Sequence, residues 1–338
     1  MLFLRALFRR ARLPGRVDGV DCGQTTNAGG RFDGRAPRSF AMTTLSAIIR
    51  LMRPHQWVKN GFVLVGLIFG HGFTDQALVI KAGVLFAAFC LVSGGVYAMN
   101  DVLDREADRV HPRKRDRPVA SGTVPAGSAL AFAFALAAGG LALAYWVSPA
   151  ALGLAACYVV LNLGYSAGLK HVAVLDVFLI AAGFMLRILA GTLGLDIAPS
   201  HWLLLCGLMV TVFLGFAKRR AELFALSAEE HGANGRGSAQ RRVLDDYSPK
   251  LLDQMIAISA AGAMVAYALY TVDAQTIATQ GTDRLVYTVP FVLYGLFRYL
   301  HLLYRGRGGA DPAAELLGDA HLLGATAGWL ALVLWLIA

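Results

Sequence analysis

Charge is in short supply in this chain. Asp, Glu, Lys and Arg make up 16% of its 338 residues, against about 25% in an ordinary soluble domain, while 57% of the residues are hydrophobic. That balance excludes a disordered chain and argues against a water-soluble globule. Cysteine is scarce as well. Cys22, Cys90, Cys157 and Cys206 lie far apart with no C-x-x-C pair, and three of them sit in apolar runs where a thiol behaves as a small hydrophobe. Neither a disulfide framework nor a zinc site is indicated. No Ser or Cys flanked by a His marks a covalent nucleophile, so any chemistry has to rest on positioning and charge stabilisation.

What the chain has in quantity is long apolar runs. They fall at about 58–72, 77–100, 125–146, 149–167, 171–194, 200–217, 251–272, 285–304 and 315–337, and most approach the twenty or so residues that a hydrocarbon core of roughly 30 Å demands of a helix. The expected fold class is therefore all-α, a polytopic membrane helical bundle of about nine transmembrane helices. The lipid bilayer is its expected surroundings, and no nucleic-acid partner is expected.

Residues 1–41 differ from all that follows, with eight Arg against three Asp, a net of 8 − 3 = +5. Their one apolar stretch is cut by Arg5, Arg9 and Arg10 and is too short for a secretory signal. A basic segment on the membrane surface is one reading. An unstructured leader, or a misplaced start with initiation at Met42, is the preferred one, so the membrane domain is taken as 42–338.

Beyond that leader the basic residues divide sharply. Loops on one side hold twenty Lys and Arg, those on the other only Lys81 and Arg284, and Arg187 lies within a run. By the positive-inside rule the N-terminus is expected in the cytoplasm and the C-terminus outside the cell or inner membrane. The two long inner loops, 101–124 and 218–250, gather the charge, so the active site is expected on the cytoplasmic face.

The second run leads into Asn100-Asp101-Val-Leu-Asp104-Arg-Glu-Ala-Asp108. Steps of three and four residues put Asp101, Asp104 and Asp108 on one face of a continuing helix. Like charges at that spacing need a compensating cation. Mg²⁺, which usually takes one or two carboxylates plus substrate phosphates, is the expected cofactor on these three. Immediately beyond, Lys114, Arg115 and Arg117 can neutralise phosphate oxygens, although positive-inside charge explains part of this cluster. Arg53 and Lys59 precede the first run. Tyr165 and Lys170 end the fourth, at the level where the carboxylates emerge. Asp176 lies near the inner end of the fifth, where it can join the site, and Arg187 about three turns deeper, facing the interior as a ligand or as a satisfied structural charge. Lys218 and Arg219 close the sixth. The stretch from His231 to Ser238 reads as a loop.

Carboxylates with many cations on one membrane face suit a highly phosphorylated substrate whose diphosphate leaves, and the bundle suits a second reactant with a long apolar tail. The Asn100-Asp101-x-x-Asp104-x-x-x-Asp108 motif and nine spans with long inner loops resemble the UbiA superfamily of intramembrane prenyltransferases over about residues 45–338. Finer motifs resemble its decaprenyl-phosphate phosphoribosyltransferase branch. They are Arg53-Pro-His-Gln-Trp-Val-Lys59-Asn60, Asp108-Arg-x-His-Pro-x-Lys114-Arg115-x-Arg117-Pro, Tyr165-Ser-x-x-Leu-Lys170 and Ala217-Lys218-Arg219-x-Ala-Glu222-Leu. The resemblance implies transfer of 5-phosphoribosyl from phosphoribosyl diphosphate to a polyprenyl phosphate, dependent on Mg²⁺. Typical superfamily prenyltransferases carry a second Asp-x-x-x-Asp motif after the sixth span. Here that position reads Lys218-Arg219-Arg220-Ala-Glu222, which suits a donor with a 5-phosphate besides its diphosphate. A prenyltransferase that alkylates a small acceptor is the nearest rival, and a lipid or anion transporter the next. The oligomeric state stays open, a homo-oligomer included.

Overall fold

The computed structural model describes residues 46–70, 72–110, 114–230, 244, 246–306, 308–309 and 312–337, without the side chains of 226–230 and 313. The basic leader and its boundary at 41/42, and the stretch 231–243 with His231, lie outside the described residues. Eight of the described helices are long and apolar enough to cross a membrane. We label these spans α1 (Gln76–Leu103), α2 (Ala126–Val147), α3 (Pro149–Ala167), α4 (Leu175–Thr192), α5 (His201–Glu230), α6 (Pro249–Val272), α7 (Val289–Tyr304) and α8 (Ala320–Ile337). Described residues contain no strand.

Local sequence sets several helix starts. The Asp75 carboxylate accepts from the amides of Ala77 and Leu78 at 2.8 and 3.4 Å and caps α1. Ser148 and Ser248 cap α3 and α6 from the residue before a proline, an arrangement that satisfies orphan amides and places the ring where no donor is needed.

The expected run at 58–72 departs furthest from regular α geometry. It folds as a 3₁₀ helix, Pro54–Leu64, continued by a short α-helix, Val65–Phe69. At about 2.0 Å and 1.5 Å per residue, these two reach roughly 30 Å, enough to span a hydrocarbon core. The run packs closely on α4: a Cβ on Gly191 would meet the Val63 carbonyl oxygen at 1.8 Å. Small residues that let backbones approach are the usual means of helix association in lipid, where burial of apolar surface gives no drive. Gly140 plays that part between α2 and α1, where a Cβ would stand 2.7 Å from the Ala88 carbonyl oxygen.

Two of the four apolar clusters among the described residues join most of the spans. One joins the broken run with α1, α2, α3 and α4 through Val63, Phe89, Ala155 and Ala190, and the other joins α4 with α5, α6 and α7 through Val177, Phe213, Ile256 and Leu303. Because the spans alternate, the ends of α1, α3 and α5 and the start of α4 meet at one end of the bundle.

Candidate active site

Asp101 occupies the last turn of α1 and is 2% exposed. The helix stops at Leu103, Asp104 takes the cap position, and a short helix resumes over Arg105–Val110. This break changes the expected common face. Asp101 and Asp108 are both buried and converge on one guanidinium nitrogen, Arg117 Nη1, at 3.2 Å and 2.6 Å. Asp104, its side chain 44% exposed, turns instead toward Lys170 Nζ at 3.5 Å. Arg53 Nη2 also donates to Asp101 Oδ1, at 2.5 Å.

Arg53 holds a left-handed backbone, φ 49°, directly before Pro54. A bulky residue rarely adopts that conformation, and a following proline disfavours it further. The ion pair to Asp101, together with packing of the guanidinium over the Tyr97 ring at 5.0 Å, holds it there.

A second charged group sits on α4 and α5. Arg219 Nε lies 2.5 Å from Asp176 Oδ2, and both side chains are buried. Arg219 also pairs with Glu222 through Nη1 and donates from Nη2 to the Tyr165 hydroxyl at 3.2 Å. Tyr247 donates to Asp176 Oδ1 at 2.9 Å and accepts from the Val174 amide at 2.5 Å. Lys218 is more peripheral, 3.9 Å from Glu222 with its side chain 41% exposed.

Lys114 lies between the groups. Burial pushes its ammonium below the usual lysine range, Arg117 adds to that, and Asp108, Asp104 and Glu222 pull back toward the charged form. Asn100 accepts from Ser166 Oγ at 2.8 Å and so ties α1 to α3. Lys59 is half-buried on the 3₁₀ helix, and Arg115 is exposed.

Arg187 stands apart. It is buried and donates to Asn60 Oδ1 at 2.8 Å, to the Gly183 carbonyl at 2.8 Å and to the Tyr158 hydroxyl at 3.0 Å. Its guanidinium packs 4.4 Å from the Tyr158 ring centre. Those bonds knit the broken run to α3 and α4.

Sequence reading did not single out Tyr247 or Tyr158, and it had Asn60 and Ser166 only as members of motifs, with no role. Their types and neighbours carry no signal, since each acts on a partner far along the chain.

The donor chemistry fits one hard cation. Two buried carboxylates converge on a single nitrogen of Arg117, and the point of convergence is a cation position. Among the described residues no three or more Asp, Glu, His or Cys gather at metal-binding distance, so the expected three-carboxylate set is not assembled. A pair matches the one or two protein carboxylates that Mg²⁺ usually takes.

Residues 61–322 match the family model of the UbiA prenyltransferase family. The chain is 35% identical over 274 residues to the decaprenyl-phosphate phosphoribosyltransferase of Corynebacterium glutamicum, covering 80% of each. It is 31% identical over 293 residues to the protein of the same description from Mycobacterium tuberculosis, covering 86% of this chain and 93% of that one. Among solved structures, a UbiA homolog from Archaeoglobus fulgidus bound to GPP and Mg²⁺ superposes with a TM-score of 0.66 at 17% identity, covering 86% of this chain and 99% of that one.

Proposed function

The chain belongs to the UbiA prenyltransferase family, and from that premise we propose that it moves 5-phosphoribosyl from phosphoribosyl diphosphate to a polyprenyl phosphate of decaprenyl type, releasing diphosphate. It is a multi-pass membrane transferase, its transferase domain running over 42–338 beyond a basic leader. The positive-inside pattern supports a cytoplasmic N-terminus and active site and an outer C-terminus. Identity to phosphoribosyltransferases over most of both chains supports the reaction. The observation that carries the choice of donor is the buried Arg219 in the second half of α5, where the resemblance would put a second carboxylate motif in a prenyl-diphosphate enzyme.

In this reading Asp101 and Asp108 would hold Mg²⁺, which would supply charge neutralisation for the departing diphosphate. Asp104 contributes through Lys170. Arg53, Lys114 and Arg117 bind phosphoryl oxygens by charge-assisted hydrogen bonds, with Lys59 and Arg115 at the margin. Arg219, oriented by Asp176 and Tyr165, receives a second phosphate, and Asn100 fixes α1 against α3 beside them. Such preorganised donors in a water-poor site stabilise charge that develops as the anomeric bond breaks. The ribose C1–O bond to diphosphate breaks with oxocarbenium character while an oxygen of the lipid phosphate bonds to C1 from the opposite face, so the configuration inverts. The acceptor is already an anion, and no strong general base is required.

The GPP-bound fold neighbour keeps prenyl transfer as the rival. The deciding experiment incubates purified protein with Mg²⁺, polyprenyl phosphate and ribose-labelled phosphoribosyl diphosphate, then extracts into organic solvent. Metal-dependent label in the lipid phase is expected. Its absence from a folded, lipid-supplied sample, with label transfer from a prenyl diphosphate instead, would overturn the proposal.

A further inference from the structure

A second site lies at the opposite end of the bundle from the carboxylates, where the broken run, the α4–α5 connection and the Ala274–Gln280 helix meet. It is a cavity of about 280 Å³ lined by residues that include Phe69, Thr192, Ser200, Tyr270, Thr276 and Gln280. Liquid water takes about 30 Å³ per molecule, so the space exceeds that of a single bridging water several-fold.

Two polar atoms in its wall have no hydrogen-bond partner among the described residues. The Tyr270 hydroxyl and Gln280 Oε1 are both unsatisfied, on residues only 5% and 4% exposed. Neither can readily turn away. Gln280 Nε2 donates to the Phe69 carbonyl at 2.6 Å, which fixes the amide with its oxygen free. The Tyr270 ring is wedged between Phe69, edge-to-face at 5.7 Å, and Tyr267, stacked at 6.2 Å. Buried polar atoms without partners carry a desolvation penalty, and the large majority in folded proteins are paired with protein or ordered water.

The chemistry of the wall defines what would complete it. One orphan is a phenol that donates and the other a carbonyl that accepts, and an alcohol does both. Among the described lining residues none is Asp, Glu, Lys, Arg or His, so these residues offer a charged ligand no counter-ion and favour a neutral one. Further hydroxyls at Thr192, Ser200 and Thr276 and apolar edges at Phe69 and Ile197 line the rest, the usual mixture of a small-molecule site. We infer that this cavity binds an uncharged polyhydroxylated ring or chain, a neutral sugar or polyol, with adjacent hydroxyls on Tyr270 and Gln280. A soluble sugar and the headgroup of a glycolipid share this chemistry.

The test uses the full chain in phosphatidylcholine nanodiscs, reading the thermal unfolding midpoint with free glucose in solution or with monoglucosyldiacylglycerol in the disc. Sugars also stabilise proteins by exclusion from their surface, so only the shift lost in a variant counts. Tyr270→Phe removes the orphan hydroxyl and should leave the ligand-free midpoint unchanged or higher. Thr279→Trp blocks the rim at an exposed position. A rise in wild type with the glycolipid alone, lost in both variants, assigns a headgroup. A rise with free glucose, lost in both, assigns a soluble sugar. No rise from either source, or a rise retained in Tyr270→Phe and Thr279→Trp, overturns the inference and leaves ordered water as the occupant.

Discussion

Tyr247 and Asp176, 71 positions apart, meet in a 2.9 Å hydrogen bond at the start of α4. The same phenol accepts from the Val174 amide, at a residue whose φ of 68° is costly for a β-branched side chain. Asp176 is held on its other oxygen by Arg219, so Tyr247 positions Arg219 at one remove. Tyr247→Phe leaves a buried carboxylate oxygen short of a donor, a loss of about 1–3 kcal/mol. The expected kinetic result is a higher KM for phosphoribosyl diphosphate with a smaller change in kcat. An unchanged KM alongside the lowered stability would reduce Tyr247 to a structural tie.

The same phenol predicts a pH signature. Burial pushes the Tyr247 pKa up, and its hydrogen bond to Asp176 pushes in the same direction, against the Val174 amide. A folded pKa above the unfolded value of about 10 means that its stabilisation is fully present below pH about 10 and is lost as pH rises through the folded pKa. Unfolding midpoints measured across the alkaline range should therefore fall more steeply in wild type than in Tyr247→Phe.

Carboxylate variants should not be equivalent. Asp101 and Asp108 converge on Arg117, whereas Asp104 faces Lys170 at a half-exposed position. Asp101→Asn and Asp108→Asn are expected to lower turnover by about 10²-fold or more, the scale of losing a preorganised electrostatic group, and to raise the Mg²⁺ concentration needed. Asp104→Asn should cost less, since exposed ion pairs contribute about 1 kcal/mol at most. Steady-state rates across a Mg²⁺ titration decide this, and equal losses in all three would mean that the bound state restores one shared face.

How far the sequence discloses this arrangement follows from the range of each interaction. The long spans are legible because a bilayer imposes their length on contiguous residues. The broken first run is legible as apolar but not as 3₁₀, and its close backbone approach to Gly191 joins residues far apart in the chain. Asp101, Asp104 and Asp108 stand out by spacing alone, yet the partners that separate them, Arg117 and Lys170, lie beyond the helix. Asn100 and Ser166 are 66 positions apart, and Asn60 and Arg187 are 127 apart. No local pattern joins such pairs, so Tyr247, and the partners of the motif residues Ser166 and Asn60, emerge only when the bundle is assembled.

Lys114 sets a limit at the alkaline side of binding. Its ammonium is already held below the usual lysine range by burial and by Arg117, so it loses its proton earlier than a solvated lysine as pH rises. Affinity for phosphoribosyl diphosphate should therefore decline from a pH below about 10.4, the ordinary lysine value. Lys114→Arg keeps the charge through that range and should remove the decline, whereas Lys114→Met should weaken binding at every pH. A decline of the same midpoint in Lys114→Arg would assign it to another group.

Arg187 separates structure from substrate binding. Its three hydrogen bonds end on neutral oxygens of Asn60, Gly183 and Tyr158, and a guanidinium satisfied by carbonyls and aromatic faces is compatible with a bundle interior. Arg187→Leu strands the Asn60 and Tyr158 oxygens, each at about 1–3 kcal/mol. Adding Asn60→Leu removes one stranded group, so the double variant should lose less than the two single losses combined, as coupled neighbours do. Unfolding midpoints in a common detergent measure that coupling. If KM for the polyprenyl phosphate rises in Arg187→Leu while the midpoint stays at the wild-type value, Arg187 belongs to the acceptor site and not to the frame.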